Sequence, residues 1–238
     1  MKTILYKAEE RGHANHGWLD AHHTFSFANY YDQEKVHFGV LRVLNDDSIE
    51  GGMGFGMHPH DNMEIITIML EGSLEHKDSM GNHGVIGPGE IQVMSAGTGI
   101  YHSEFNHNKD KKAKLFQIWM FPKMQNVTPR YDQMKLEVSE RKNIWQQIVQ
   151  PGPAEKGLWI HQNAWLSIGQ FDSGTETEYK IKRERNGAYI MVIDGSIEVN
   201  QQTLNRRDGI GISNIESVKI KVNADSEILL MDVPMTVN

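Results

Sequence analysis

A chain of 238 residues, 39% hydrophobic and 23% charged, is an ordinary globular protein with room for one large domain or two smaller ones. It has no cysteine, which excludes disulfides, iron–sulfur clusters, thiolate zinc sites and cysteine nucleophiles. A formal net charge of −7 argues against a broad phosphate-backbone footprint, so no direct nucleic-acid partner is expected. No run approaches the ~20 apolar residues of a membrane span, and the apolar stretch in MKTILYKAEE is too short for a secretory signal. No membrane partner is therefore expected, and the expected location is cytoplasmic.

Short apolar runs cut by turn residues dominate the chain. Strands are expected over Phe38–Leu44, Glu64–Leu70, Ile91–Met94, Leu115–Phe121, Ala188–Ile193, Ser196–Val199, Val218–Val222 and Ile228–Val233. Turn chemistry separates them at Asn45-Asp46-Asp47, Met80-Gly81-Asn82, Gly87-Pro88-Gly89 and Arg207-Asp208-Gly209. Lys109–Lys114 (KDKKAK) reads as a solvated loop. The best helical period is Ser139–Val149, with Ile144, Trp145 and Ile148 on one side. The pattern predicts an all-β protein of sandwich or barrel type.

The chain also repeats itself. Leu70-Glu-Gly72-Ser-Leu-Glu75 recurs as Ile193-Asp-Gly195-Ser-Ile-Glu198, and Gly87-Pro-Gly89-Glu-Ile91 has a looser echo in Arg207-Asp-Gly209-Ile-Gly211. Two echoes in one order, roughly half a chain apart, predict two copies of one domain. The boundary is expected near Pro122–Gln133, and a second irregular stretch covers Gln150–Gly157.

Imidazole is distributed unevenly. Of 12 histidines, only His161 lies beyond His107, so one half is expected to be reactive and the other inert. His58 and His60, two apart on an extended segment, project to one face and can converge on one ion. His102 and Glu104 form a second such pair. Three imidazoles and a carboxylate suit iron, nickel, copper, manganese or zinc. Polar strands facing solvent are the competing explanation. Moving His58 and His60 by the 123-residue offset reaches Ile181 and Arg183, and the counterparts of His102 and Glu104 fall near Val222–Ala224. The second half therefore reads as the same scaffold without a ligand set.

Gly52, His58, His60, Glu64 and Gly72 resemble the first cupin motif, and Gly99, His102 and Asn106 the second, with Gly97 where proline is usual. RGHANHGWLDAHHTFSF (Arg11–Phe27), GFGMHPHDNMEI (Gly54–Ile65) and MSAGTGIYHSE (Met94–Glu104) resemble the pirin family, and most nearly its bacterial quercetinase-like members. That resemblance implies two tandem cupin (double-stranded β-helix, jelly-roll) barrels. Residues 1–130 would bind metal, and residues 131–238 would lack ligands. It implies metal ligation by His58, His60, His102 and Glu104, with Glu104 as catalytic proton acceptor. The ion would be one divalent transition metal, Fe2+ foremost, with Ni, Cu, Mn, Co or Zn as alternatives. The implied activity is that of a quercetin 2,3-dioxygenase, cleaving a flavonol such as quercetin with O2 and releasing CO. The alternative is a non-catalytic metal-binding or redox-sensing regulator with a protein partner.

Glu64 is out of register with the broader cupin pattern and is expected beside the ligands rather than among them. His13, His16, His22 and His23 are expected to hydrogen-bond the N-terminal strands against the barrel. His37, His76, His83 and His107 are expected at the surface or in turns. Phe25, Phe27, Phe38, Phe55 and Trp119 are expected in the core, with a pocket wall as their other role.

Overall fold

A computed structural model describes residues 1–153 and 157–237. Part of the irregular stretch expected at Gln150–Gly157, and the C-terminal residue, lie outside the described residues. Among the described residues, twenty strands and two short 3₁₀ turns, Ala8–Glu10 and Val138–Glu140, make up the regular structure. No helix among the described residues is long and apolar enough to cross a membrane.

The first barrel is built from β2 (Gly12–Asn15), β3 (Leu19–His23), β4 (Leu41–Ile49), β5 (Gly54–His60), β6 (Glu64–Glu71), β7 (Leu74–Asp78), β8 (His83–Ile86), β9 (Glu90–Ser95), β10 (Ile100–Asn106), β11 (Ala113–Met120) and β12 (Arg130–Lys135). One sheet runs β12-β9-β6-β11-β4-β3-β2 and the other β5-β10-β7-β8. Leu74 and Ile86 of the smaller sheet pack on Ile49, Met69 and Leu115 of the larger one.

The second barrel is a nine-stranded sheet. It comprises β1 (Lys2–Tyr6), β13 (Gln146–Pro151), β14 (Leu158–Ile160), β15 (Trp165–Phe171), β16 (Glu176–Lys180), β17 (Asn186–Val199), β18 (Gln202–Asn205), β19 (Gly209–Ser213) and β20 (Ser217–Pro234). The chain crosses over at both ends of the first barrel. β1 pairs with β19, while β12, just past the expected division at residue 130, pairs with β9.

Period-two alternation explains the apolar runs. In β6, Ile66 and Ile68 face the other barrel while Ile65, Thr67 and Met69 face inward; in β11, Phe116, Ile118 and Met120 face outward while Leu115, Gln117 and Trp119 face inward. The outward faces meet Tyr189, Met191, Leu229, Met231 and Val233 in one core shared by the two barrels. Both faces are thus buried, so these strands read as nearly continuous apolar segments.

Several expected elements are corrected. Ser139–Val149 is not a helix: after the turn at Val138–Glu140, β13 begins at Gln146 and pairs with β14 and β15. Its Ile148 and Val149 are β-branched and buried between strands, whereas Ile144 is exposed, so tertiary pairing overrides the helical spacing. The strand expected from Phe38 begins at Leu41 and runs to Ile49 through Asn45-Asp46-Asp47, which is therefore no turn. Ala188–Ile193 and Ser196–Val199 form one strand bent by bulges around Asp194, and Val218–Val222 and Ile228–Val233 form another. The repeat survives in the bend. Gly72 and Gly195 both have positive φ (74° and 91°), and a Cβ there would lie 2.5 Å from Lys112 O, just before β11, and 2.2 Å from Asp225 O in β20.

Candidate metal centre

β5 and β10 are antiparallel neighbours, with His58 opposite His102 and His60 opposite Ile100. His58 and His60 share a face because they are two apart. A bulge between His102 and Glu104 shifts the register on β10. Ring centroids are 4.4 Å apart for His58–His102 and 4.9 Å for His58–His60 and His60–His102. One nitrogen from each ring lies within 4.8 Å of the other two.

His60 and His102 are set up as neutral donors. His58 Nδ1 lies 2.7 Å from Gly56 O and donates to it, which leaves Nε2 as the ring nitrogen available to a metal. Burial first, then the His58 charge, lowers the His60 pKa to about 4. Burial, then His58, His60 and His76, lowers that of His102 to about 2. His102 is 1% exposed, yet neither ring nitrogen has a hydrogen-bond partner. A buried imidazole with both nitrogens unpaired suits a ligand it has still to receive.

Glu104 is buried next to this cluster. Gln92 Nε2 donates to Oε1 at 2.7 Å, Thr67 Oγ1 donates weakly to the same oxygen at 3.4 Å, and Gln117 Nε2 donates to Oε2 at 2.9 Å. Burial pushes its pKa up to about 7 against the pull of these donors. Thr67, Gln92 and Gln117 belong to none of the sequence motifs. Each is a single polar position on the inward face of an apolar strand (IITIM, IQVM, LFQIWM), and that is the signal that could have found them.

His76 corrects another expectation. It is fully buried rather than at the surface, because Leu74, His76 and Asp78 alternate inward along β7. It stacks on Tyr131 at 4.2 Å, bonds Asp78 at 3.1 Å, and approaches His102 with ring centroids 5.3 Å apart. His76, His102 and Glu104 form a second set of ligand atoms within 4.8 Å of one another. Glu104 thus reaches the cluster through His102.

Glu64 is elsewhere. It accepts from Ser95 Oγ at 2.7 Å and from the His161 backbone, and burial raises its pKa to about 7. His23 bonds Asn45 at 2.9 Å behind the cavity wall, while His13 bonds Asp20 at 2.6 Å and stacks on His22. His16 is exposed, its backbone N–H bonded to Leu19 O. Among the described residues, the groups of histidine and carboxylate close enough to share an ion all lie between residues 13 and 104.

The histidines open into a cavity of about 180 Å³. Phe27, Phe55, Ile65 and Trp119 form apolar walls, and Asn45, Asp47, Glu104 and Gln117 form a polar strip. Phe25 and Phe38 lie in the shared core as expected, but Phe27, Phe55 and Trp119 face this cavity. Asp47 has its pKa raised to about 8 by burial, with Asp46 and Glu104 adding to the effect.

The comparisons with known proteins agree with this architecture. Residues 6–120 match the Pirin family and residues 147–233 match the quercetinase C-terminal cupin domain. The chain is 45% identical to quercetin 2,3-dioxygenase of Escherichia coli strain K12 over 230 residues, covering 97% of this chain and 98% of that one. It is 37% identical to a pirin-like protein of Caulobacter vibrioides, over 94% and 96% of the two chains. The crystal structure of the bacterial pirin YhhW from E. coli in complex with nickel(II) superposes with a TM-score of 0.93 at 43% identity, covering 99% of this chain and all of that one. Two barrels sharing a core, a histidine cluster in the first, and matches along both halves lead to one conclusion: the chain belongs to the pirin family.

Proposed function

We propose that the protein is a metal-dependent dioxygenase that opens flavonols such as quercetin with O2 and releases carbon monoxide. The observation that carries this reading is the convergence of three histidines, two of them clearly neutral, beside a buried carboxylate at an aromatic-walled cavity. The E. coli relative named quercetin 2,3-dioxygenase and the nickel(II) complex of YhhW support it.

His58, His60, His102 and Glu104 would hold one divalent ion, Fe2+ in the first instance. Nickel, copper, manganese, cobalt and zinc would compete according to supply. Bound there, the ion would supply Lewis-acid stabilisation of a deprotonated flavonol oxygen. Glu104, whose carboxylate shares a ligand grouping with His102, accepts the proton of the 3-hydroxyl. Gln92 and Gln117 hold the carboxylate as it does so. Phe27, Phe55 and Trp119 flank the flat ring system and exclude water from the electron-rich anion that meets O2.

The test is O2 uptake and CO release with quercetin, using protein reconstituted separately with each candidate metal. Activity is expected from the wild type and not from His58→Ala or Glu104→Ala. Wild-type rates in either variant would reject the assigned roles. The regulatory alternative is favoured instead if kcat/KM falls far below the ordinary ~10⁴–10⁸ M⁻¹s⁻¹ of enzymes.

A further inference from the structure

Besides the two ring nitrogens of His102, two buried polar atoms of residues lining the cavity are left without partners: Asp47 Oδ1 and Trp119 Nε1. Native proteins rarely leave such atoms unpaired, and each one costs stability. Asp47 lies on β4 opposite Leu115, and Trp119 lies four residues further along β11 on the same inward face. The strand rise puts their backbone positions about 13 Å apart. Gln117, which holds Glu104, lies midway between them.

The second barrel shows that this state is not imposed by the scaffold. Strand pairing makes Gly169 the counterpart of Asp47, and a Cβ there would collide with the Phe171 ring at 2.4 Å. The same pairing makes Asp232 the counterpart of Trp119, and Asp232 is fully bonded to Tyr179, Asn186 and the Lys182 backbone. The second barrel has thus filled one position and satisfied the other. The first has done neither.

We propose that Asp47 and Trp119 are the specificity groups of the site. Trp119 Nε1 donates to one oxygen substituent of a flat polyphenol, and Asp47 bonds a ring hydroxyl at the other end, with the reacting oxygen between them at Glu104. This rests on the dioxygenase reading above and assigns the ends of its substrate. The cavity of about 180 Å³ is below the ~300–1,000 Å³ of typical small-molecule pockets. Its occupant is therefore flat, and part of it stays at the mouth.

The experiment compares quercetin, which carries ring hydroxyls beyond the 3-hydroxyl, with 3-hydroxyflavone, which lacks them. A site that bonds substrate hydroxyls discriminates strongly against analogues without them. In Asp47→Leu, kcat/KM for quercetin is expected to fall by about 10-fold or more, with 3-hydroxyflavone changing by less than about 3-fold; in Trp119→Phe both substrates are expected to lose rate, quercetin by about 10-fold more than 3-hydroxyflavone. Asp47→Leu is also expected to raise Tm, because it removes an unpaired buried carboxyl. An equal fall for both substrates in both variants, unchanged quercetin kinetics, or a lower Tm in Asp47→Leu would overturn the proposal. If the wild type turns over neither flavonol, the dioxygenase reading fails by itself. Equilibrium dialysis of the two flavonols then tests Asp47 and Trp119 directly, with loss of quercetin preference in the variants expected and unchanged preference contradicting it.

Discussion

The two barrels share one architecture and differ in what fills them. In the first, Thr67 on β6 is flanked across the sheet by Gln92 and Gln117. At the equivalent place in the second, Ile190 on β17 is flanked by Ile210 and Leu230. The polar trio holds Glu104, whereas the aliphatic trio belongs to an apolar interior that also contains Phe171, Tyr179, Val218 and Ile220. Three side chains at matched positions are thus polar in the first barrel's interior and aliphatic in the second's. The second barrel then serves as a packing partner, burying Ile66, Phe116 and Ile118 in the shared core.

Breaking the two interiors should produce opposite failures. The largest effect is expected from His102→Ala, which removes the imidazole common to both ligand groupings. Metal affinity, measured by competition with a chromogenic chelator, should fall more than about 100-fold, beyond the usual cost of losing an outer-shell partner. Ile190→Ala should instead cost about 2–5 kcal/mol in chemical denaturation and leave metal stoichiometry unchanged. A metal loss in Ile190→Ala, or a metal-neutral His102→Ala, would erase the distinction between the barrels.

Gln117→Leu moves the first interior one step toward the second. It strips Glu104 Oε2 of its donor, so about 1–3 kcal/mol of stability should be lost and the metal held about 10–100-fold more weakly. The matched change Leu230→Gln should also destabilise, but without creating a metal site.

The smallest effect is a pH signature of the metal-free protein. Glu64 and Glu104, raised to about 7, and Asp47, raised to about 8, keep protons that the unfolded chain has released. Stability should therefore decline as pH rises from 6.5 to 8. His60 and His102 stay neutral where the unfolded chain protonates, so stability should also decline as pH drops below about 4.5, where the carboxyls no longer oppose them. Asp47→Asn should remove the part of the alkaline decline between pH 7 and 8. Denaturation midpoints across this range that stay flat in the metal-free wild type would contradict the assigned burial of these groups.

The sequence exposed the duplicated β architecture because turn chemistry and the glycine at each bend recur at a fixed offset. His58, His60, His102 and Glu104 were visible as two-residue pairs. Less visible was everything that depends on strands distant in sequence. Asn45-Asp46-Asp47 has the composition of a turn, yet β4 continues through it: Asn45 and Asp47 line the cavity, and Asp46 bonds Arg207 of the second barrel at 2.9 Å. His76 looked like a surface residue because its neighbours Glu75 and Lys77 are polar, although alternation in β7 places it inside. Trp145 and Ile148 mimicked a helical face, but one packs on Phe171 and the other enters the shared core.

Anomalous diffraction at the metal edge, from crystals loaded with one equivalent of Fe(II), addresses the central claim most directly. A single peak is predicted in the first barrel, about 2.0–2.2 Å from nitrogens of His58, His60 and His102 and from a carboxylate oxygen of Glu104. A peak at His13–Asp20–His22, a peak inside the second barrel, or none at the three histidines would contradict it.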